Sequence, residues 1–310
     1  MLIFYCLSLS FLGQVDPVYS VTIYLDSYLN ENSLREKMHT HTFIFNGQGQ
    51  LLVQENHLES LVLTDRDIGK NYKYTSYQYQ DGKIWKAKTE FIAESGERLP
   101  SSTRIFTYKN GRVIEIQEGV NPDSIFNFYT IRYDKEGRKK QVNWLRAAYD
   151  TLHQTTDFTH YDTISYSFHW DDLGRCQAYS APSSIEFSES GKASSLRSYH
   201  RGYLDQDFRL IRDEQGRLVS SSFEARSNYQ NEEKIFQYSD SDGLLHSVNC
   251  RSELFVGGYS AKLQNRTRSN YEFSYSKDFK DLPKQYFPII NKQLSEAFLP
   301  KQEEWQIFRP

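Results

Sequence analysis

Through most of the chain, apolar and polar residues alternate one by one, and the apolar member is most often an aromatic ring. The segment TSYQYQDGKIWK (75–86) is representative. Alternation with period two sends successive side chains to opposite faces of an extended strand. Rings and β-branched residues suit such a half-buried, pleated surface. The alternation stops at Asp81-Gly82 and then resumes, and a two-residue Asp-Gly loop is a strong hairpin signal. A tip placed there pairs Tyr79 with Ile84 and Tyr77 with Lys86 on one face, with Gln78 and Trp85 on the other. The segment RIFTYKNGRVIEI (104–116) repeats the arrangement around Asn110-Gly111.

Longer tips follow a second pattern. IRYDKEGRKKQV (131–142) contains Asp134, Gly137 and Arg138; YSFHWDDLGRCQA (166–178) contains Asp171, Gly174 and Arg175; FRLIRDEQGRLV (208–219) contains Asp213, Gly216 and Arg217. Each is an Asp-x-x-Gly-Arg unit. Asn46 to Gly49-Gln50 and Ser188 to Gly191-Lys192 keep the spacing with softer chemistry. IFQYSDSDGLLHSV (235–248) has a longer tip, and YEFSYSKDFKDL (271–282) keeps the aromatic strand without the glycine. The Asp opening the turn can accept a backbone hydrogen bond from two residues on. The glycine closes the turn in the left-handed conformation without a Cβ clash. The trailing Arg faces the Asp across the tip, an exposed pair worth roughly 0–1 kcal/mol. Polar turns at 94–97, 119–124, 204–207 and 229–233, and at Gly257-Gly258, fall between the ring-bearing runs, so glycine tips alternate with return turns.

The Tyr133-Asp134-x-x-Gly137-Arg138 unit and its relatives at 166–178 and 208–219 resemble the YD repeat of Rhs and teneurin-type proteins, over roughly residues 40–280. The resemblance implies an array of β-hairpins in a long curved or spiral sheet that scaffolds, encloses or adheres. It assigns no catalysis to the repeat itself.

The fold expected is therefore all-β: an antiparallel meander of repeated hairpins with a short C-terminal cap. Residues 1–20 read as a signal peptide, because the run Met1–Leu12 is apolar but too short to span a bilayer as a helix. Residues 21–282 hold the hairpins, and 283–310 form a capping segment. Within that segment 291–299 reads as a short helix with Asn291 as N-cap, and Phe298, Trp305 and Phe308 are available to cover the sheet's last edge.

Composition narrows the function. Hydrophobic content is only 38%, but aromatics reach 15%, so the core is built from rings and the chain is not disordered. Lys and Arg number 37 against 40 Asp and Glu, which leaves no basic footprint for nucleic acid. No other apolar run is long enough for a transmembrane span. If Cys6 leaves with a signal, Cys176 and Cys250 remain, either as a disulfide or as separate buried thiols.

Candidate chemistry is sparse. His39-x-His41 can place two imidazoles on one strand face, without the further ligands that zinc requires. His153, Asp157, His160 and Asp162 carry acid–base residue types within the least repetitive interval, 143–163. Asp240-x-Asp242-Gly243 resembles half of a calcium loop, but Tyr238 and Asn249 stand where acidic ligands belong. Asn265-Arg266-Thr267 is a glycosylation sequon. Trp85, Trp144 and Trp170 are candidates for stacking on a sugar, against the plainer role of rings that hold the meander together. No cofactor or metal is implied. The leading expectation is an exported, non-enzymatic protein of the envelope or beyond, offering a surface to a polysaccharide or another protein. The alternatives are a secreted hydrolase with its site in 143–163, and an accessory or immunity-like partner of a secreted toxin system.

Overall fold

The computed structural model describes residues 17–28, 38–57, 72–120, 124–150, 155–173, 175–180, 183–190, 192–225, 230–256 and 262–299. The apolar run at the start, Gly174, Gly191, Trp305 and Phe308 lie outside the described residues. The first strands are β1 (Tyr19–Tyr28), β2 (Met38–Phe45), β3 (Leu51–Asn56), β4 (Tyr72–Gln80), β5 (Lys83–Ile92) and β6 (Arg98–Lys109). Then come β7 (Arg112–Gly119), β8 (Ile125–Tyr133), β9 (Lys139–Asp150), β10 (Thr155–Trp170), β11 (Cys176–Ser180) and β12 (Ser183–Ser190). The last are β13 (Ala193–His200), β14 (Tyr203–Arg212), β15 (Leu218–Ala225), β16 (Gln230–Tyr238), β17 (Leu245–Val256) and β18 (Lys262–Tyr275). Two 3-10 turns lead into one helix, α1 (Phe287–Glu296).

Each strand pairs antiparallel with its neighbours in sequence, as a meander requires. The ends also meet. β1 pairs with β2 on one side and with β18 on the other, from Val21 opposite Tyr275 to Tyr28 opposite Arg268. Among the described residues the sheet is therefore a closed ring of eighteen strands, not the open curved or spiral array that the resemblance implied. An open meander leaves a row of unpaired N–H and C=O groups at each end, and joining the ends removes both rows.

Along β10–β12 one face of the ring is buried and the other is not. Tyr166, Phe168, Cys176, Ala178, Ile185 and Phe187 are buried, whereas Ser165, Ser167, His169, Gln177 and Tyr179 between them are exposed. Ile185 and Leu210 are each only 2% exposed. Lateral neighbours in a sheet cannot cover a branched side chain so fully. In a closed ring only the inner face has an opposite wall, so the apolar face is the inner one. The outer wall carries ion pairs such as Lys88–Glu90, Arg197–Asp207 and Arg251–Glu253. A bilayer-spanning barrel has the reverse arrangement, with an apolar band outside.

The hairpins are tied to one another by a recurring hydrogen bond. The ring at the end of one hairpin's first strand donates to a carbonyl of the preceding hairpin, two residues past that hairpin's tip glycine. Tyr79 donates to Leu51 O (3.0 Å), Tyr108 to Ile84 O (2.8 Å) and Tyr133 to Val113 O (2.8 Å). Trp170 Nε1 donates to Lys139 O (2.7 Å), Tyr238 to Leu218 O (3.0 Å) and Tyr275 to Leu245 O (2.6 Å). A cation follows the same route. Lys83 lies over Tyr108, Arg112 over Tyr133, Arg138 over Trp170 and Arg217 over Tyr238. The Arg of the repeat unit thus works twice. Arg138 Nε bonds Asp134 Oδ2 at 2.8 Å across its own tip and sits on the next hairpin's ring. Each cation–π contact is worth about 0.5–1 kcal/mol at an exposed site.

The tips have the expected chemistry. Asp81 and Asn110 (φ 51°) precede Gly82 (φ 73°) and Gly111 (φ 81°), the left-handed pairs of a two-residue hairpin loop. Gly137 and Gly216 also have positive φ, at 82° and 76°. The Asp213 carboxylate accepts from the backbone N–H of Gln215 and of Arg217, and Asp171 accepts from Leu173 and Arg175 in the same way. At Gly137 a second constraint applies, because a Cβ there would collide with the Arg112 guanidinium reaching over from the previous hairpin. The register differs from the simple reading at one step. Tyr79 does face Ile84, but a bulge makes Ala87, not Lys86, the partner of Tyr77, and Lys86 the partner of Gln78.

With no free edge to cover, residues 283–299 turn inward instead. α1 starts four residues before the predicted helix, and Asn291 is not its N-cap but a buried anchor. Its side chain accepts from Leu245 N–H (2.9 Å) and donates to Gly243 O (2.8 Å). Ile290 and Leu294 are fully buried, and the Phe298 ring meets those of His41, Phe236, Tyr271 and Phe273. Phe279 packs against Tyr19 and Tyr275, one ring from each side of the closing seam. The segment thus braces β16 to β2 across the junction of β18 with β1, each large side chain contributing about 1.5–3 kcal/mol of burial.

Removing one ring hydroxyl tests the inter-hairpin bond. Tyr238→Phe keeps the ring under Arg217 but loses the bond to Leu218, and should lower unfolding stability by about 1 kcal/mol in urea at unchanged m-value. Tyr203→Phe, whose ring is 80% exposed, should leave the urea midpoint where it is.

Candidate binding surface

The three tryptophans do not share a surface. Trp144 is on the inner wall, 5% exposed, stacked on Tyr129 and donating from Nε1 to Asn127 Oδ1 at 2.9 Å. Asn127 in turn donates to Glu118, which pairs with Arg104 at 2.7 Å, so this polar set inside the ring is mutually satisfied. Trp170 is the ring that links its hairpin to Lys139. Trp85 is half-buried beside the bulge in β5, with Lys86 Nζ 5.8 Å from its ring centre.

His39 and His41 fall on opposite faces, because a register shift at Ile23/Tyr24 intervenes. His41 faces inward towards Phe43 and Phe298. His39 faces outward and meets His57 at 4.2 Å between ring centres, and His57 stacks on Tyr72 at 4.6 Å. Glu55 Oε2 lies 3.7 Å from His57 Nε2. The nearby His57 imidazole holds the Glu55 carboxyl below its ordinary value, while burial and the neighbouring imidazole hold His39 below its own. Among the described residues no three His, Cys, Asp or Glu side chains are grouped to hold a metal.

The other candidates disperse. The described parts of 143–163 lie on β9 and β10, with a bulge between Asp157 and Tyr161. His153 and the side chains of Asp157 and His160 lie outside the described residues, and Asp162 is 3.9 Å from Arg146. Asp242 accepts from Leu244 N–H within the β16–β17 tip. Cys176 and Cys250 are free thiols on β11 and β17, and burial pushes both up to about 11. Asn265 is in β18, with its side chain outside the described residues.

Two grooves lie on the outer wall. A groove of about 540 Å³ crosses β10–β13, lined by outward side chains including His169, Gln177, Glu186, Ser188, Ser195 and Arg197. Tyr179 OH donates to Gln177 Oε1 (2.6 Å), Gln177 Nε2 to Glu186 Oε1 (3.3 Å) and Tyr199 OH to Glu186 Oε2 (2.9 Å). The Ser188 and Ser195 hydroxyls meet at 2.7 Å. A second groove, of about 400 Å³, crosses β14–β17 beside Asp207, Arg209, Glu224, Glu233, Arg251 and Glu253. Asp207 divides the two, bound by Arg197 at 3.4 Å and Arg209 at 2.7 Å. Apart from Ser188, none of these residues holds a repeat-unit position. The only sequence signal for them is parity: they are the polar alternates of strands whose apolar alternates face inward.

No family model and no curated protein matches the chain. Among solved structures, a porin-like protein from Bacteroides uniformis ATCC 8492 aligns over 82% of this chain and 97% of its own, at 12% identity and a TM-score of 0.37. The TcdB2-TccC3-Cdc42 structure aligns over 79% of this chain and 14% of its own, at 12% identity and a TM-score of 0.29. A protein of unknown function from Bacteroides fragilis NCTC 9343 aligns over 56% and 86%, at 11% identity and a TM-score of 0.19.

The outer His cluster makes stability depend on pH with a definite sign. His39 titrates below its ordinary 6.5 when folded, so below 6.5 the unfolded chain takes up a proton that the native chain refuses, and stability falls. The Glu55 contribution is complete above 4.5 and is lost only as pH drops through its lowered native value. Urea midpoints should therefore fall between about pH 7.5 and about pH 5.5, and His39→Gln should flatten that fall. Identical pH profiles for the variant and the native chain would contradict the assignment.

Proposed function

We propose that the chain is an exported, non-enzymatic binding protein of the cell envelope, a rigid closed barrel whose outer wall recognises a large ligand. The observation that carries this is the direction of the two faces. The inner wall is occupied by packed rings and by α1, so recognition falls to the outer wall, where adjoining grooves cross eight consecutive strands. Several charged groups in those grooves are held in pairs, Asp207 by Arg197 and Arg209 and Glu253 by Arg251, which suits recognition better than proton transfer. The apolar run Met1–Leu12 supports export.

The test is affinity capture from envelope and culture-fluid fractions with the immobilised mature chain, beside an Asp207→Ala/Glu233→Ala variant of the grooves. One macromolecular ligand retained by the native chain and released by the variant is the expected result. Equal retention by both, no retained ligand, or turnover of a test ester or glycoside by the purified chain would overturn the reading.

A further inference from the structure

We propose that the groove across β10–β13 is a binding site for a neutral polysaccharide, which continues over the Asp207 ridge into the groove across β14–β17. This names the ligand class for the function proposed above and rests on it.

Four observations support the assignment. The first is the kind of side chain presented. Gln177, Glu186 and Arg197 are planar groups, each able to bind two neighbouring hydroxyls at once, and Ser188 and Ser195 add hydroxyls of their own. Sugar rings display adjacent hydroxyls that alternately donate and accept, and this set offers both roles.

The second is pre-organisation. Polar side chains on the outside of a sheet ordinarily keep their rotamer freedom, and fixing one on binding costs entropy. Here the chain from Tyr179 through Gln177 and Glu186 to Tyr199 is already fixed by its own hydrogen bonds. The Tyr179 ring remains 48% exposed, with His169 edge-on at 5.8 Å, so an aromatic face stands beside the polar set to meet the apolar face of a pyranose.

The third is charge. Within the first groove Glu186 stands opposite Arg197 in the register, and Asp171 is paired with Arg175. In the second, Asp207, Glu224, Glu233 and Glu253 stand against Arg209 and Arg251, so the wall is acidic on balance. A polyanion would be repelled; an uncharged chain would not. The fourth is length. Adjacent strands lie 4.7–4.9 Å apart, so the path from β10 to β17 is about 34 Å, room for several sugars of a polymer rather than one free sugar. Within this path the ring-to-carbonyl linkage lapses at β12 and β14: Phe187 has no hydroxyl to donate, and Arg212 takes the position held by Tyr133 and Trp170 in other hairpins.

The test is affinity electrophoresis of the full mature chain through soluble β-glucan, xylan, mannan and galactan, with polygalacturonate as the anionic comparison. At least one neutral polymer should retard the native chain. Tyr179→Ala and Glu186→Gln should each weaken that binding on the order of tenfold or more. Their urea midpoints should stay near the native value, and Glu115→Gln, outside both grooves, should bind as the native chain does. Retardation by polygalacturonate alone, by no polymer, or equally in the groove variants overturns the site. If envelope capture meanwhile yields a ligand that Tyr179→Ala and Glu186→Gln still retain, the binding function stands and only this assignment falls; if capture yields nothing, both fall.

Discussion

The bond from a ring at the end of one hairpin to a carbonyl of the hairpin before it is what turns a string of local turns into one wall. A hairpin alone is marginal in water. Backbone pairing joins each hairpin to the next but does not by itself fix how the apolar faces meet. The ring does, because it crosses the neighbouring strand, buries its body on the inner wall and finds an acceptor for its polar end. Burial pushes the Tyr79 and Tyr238 hydroxyls up to about 12, so they remain donors at any ordinary pH. The cation beyond the tip glycine then covers the next ring from outside. Ring, acid, glycine and Arg are thus one device spread over two hairpins, which explains why they recur together.

This device was half legible in the sequence. The tips were readable because turn chemistry is local: Asp81-Gly82 and Asn110-Gly111 adopt left-handed pairs, and Gly137 and Gly216 close longer turns where expected. The alternation also told strand from helix. The Arg's second contact was not readable, since Arg138 meets Trp170 on another hairpin and only the register brings them together. Bulges moved individual partners, as at Tyr77 and between His39 and His41, because one extra residue flips every side chain that follows.

Closure was invisible for a different reason. The pairing of β1 with β18 joins residues about as far apart as the chain permits, and no short motif records it. The proposed binding surface was hidden by the same long-range logic. Gln177, Glu186 and Arg197 are unremarked polar alternates in sequence, and they become a groove only when three strands lie side by side. Once the ring is closed, its inner wall is committed to packing, and the outer wall is left to meet the surroundings.

Closure is therefore the claim on which the faces, the grooves and the function depend. Thr22 and Ser274 stand opposite each other across the seam. Directly opposed residues of an antiparallel pair have Cα atoms about 4.5–5.5 Å apart, within reach of a disulfide. In a chain whose native cysteines are replaced by Ser, Thr22→Cys with Ser274→Cys should form an intramolecular disulfide in the native state under mild oxidation. Thiols that stay reduced in the folded chain, or that link only between molecules, would contradict the closed ring.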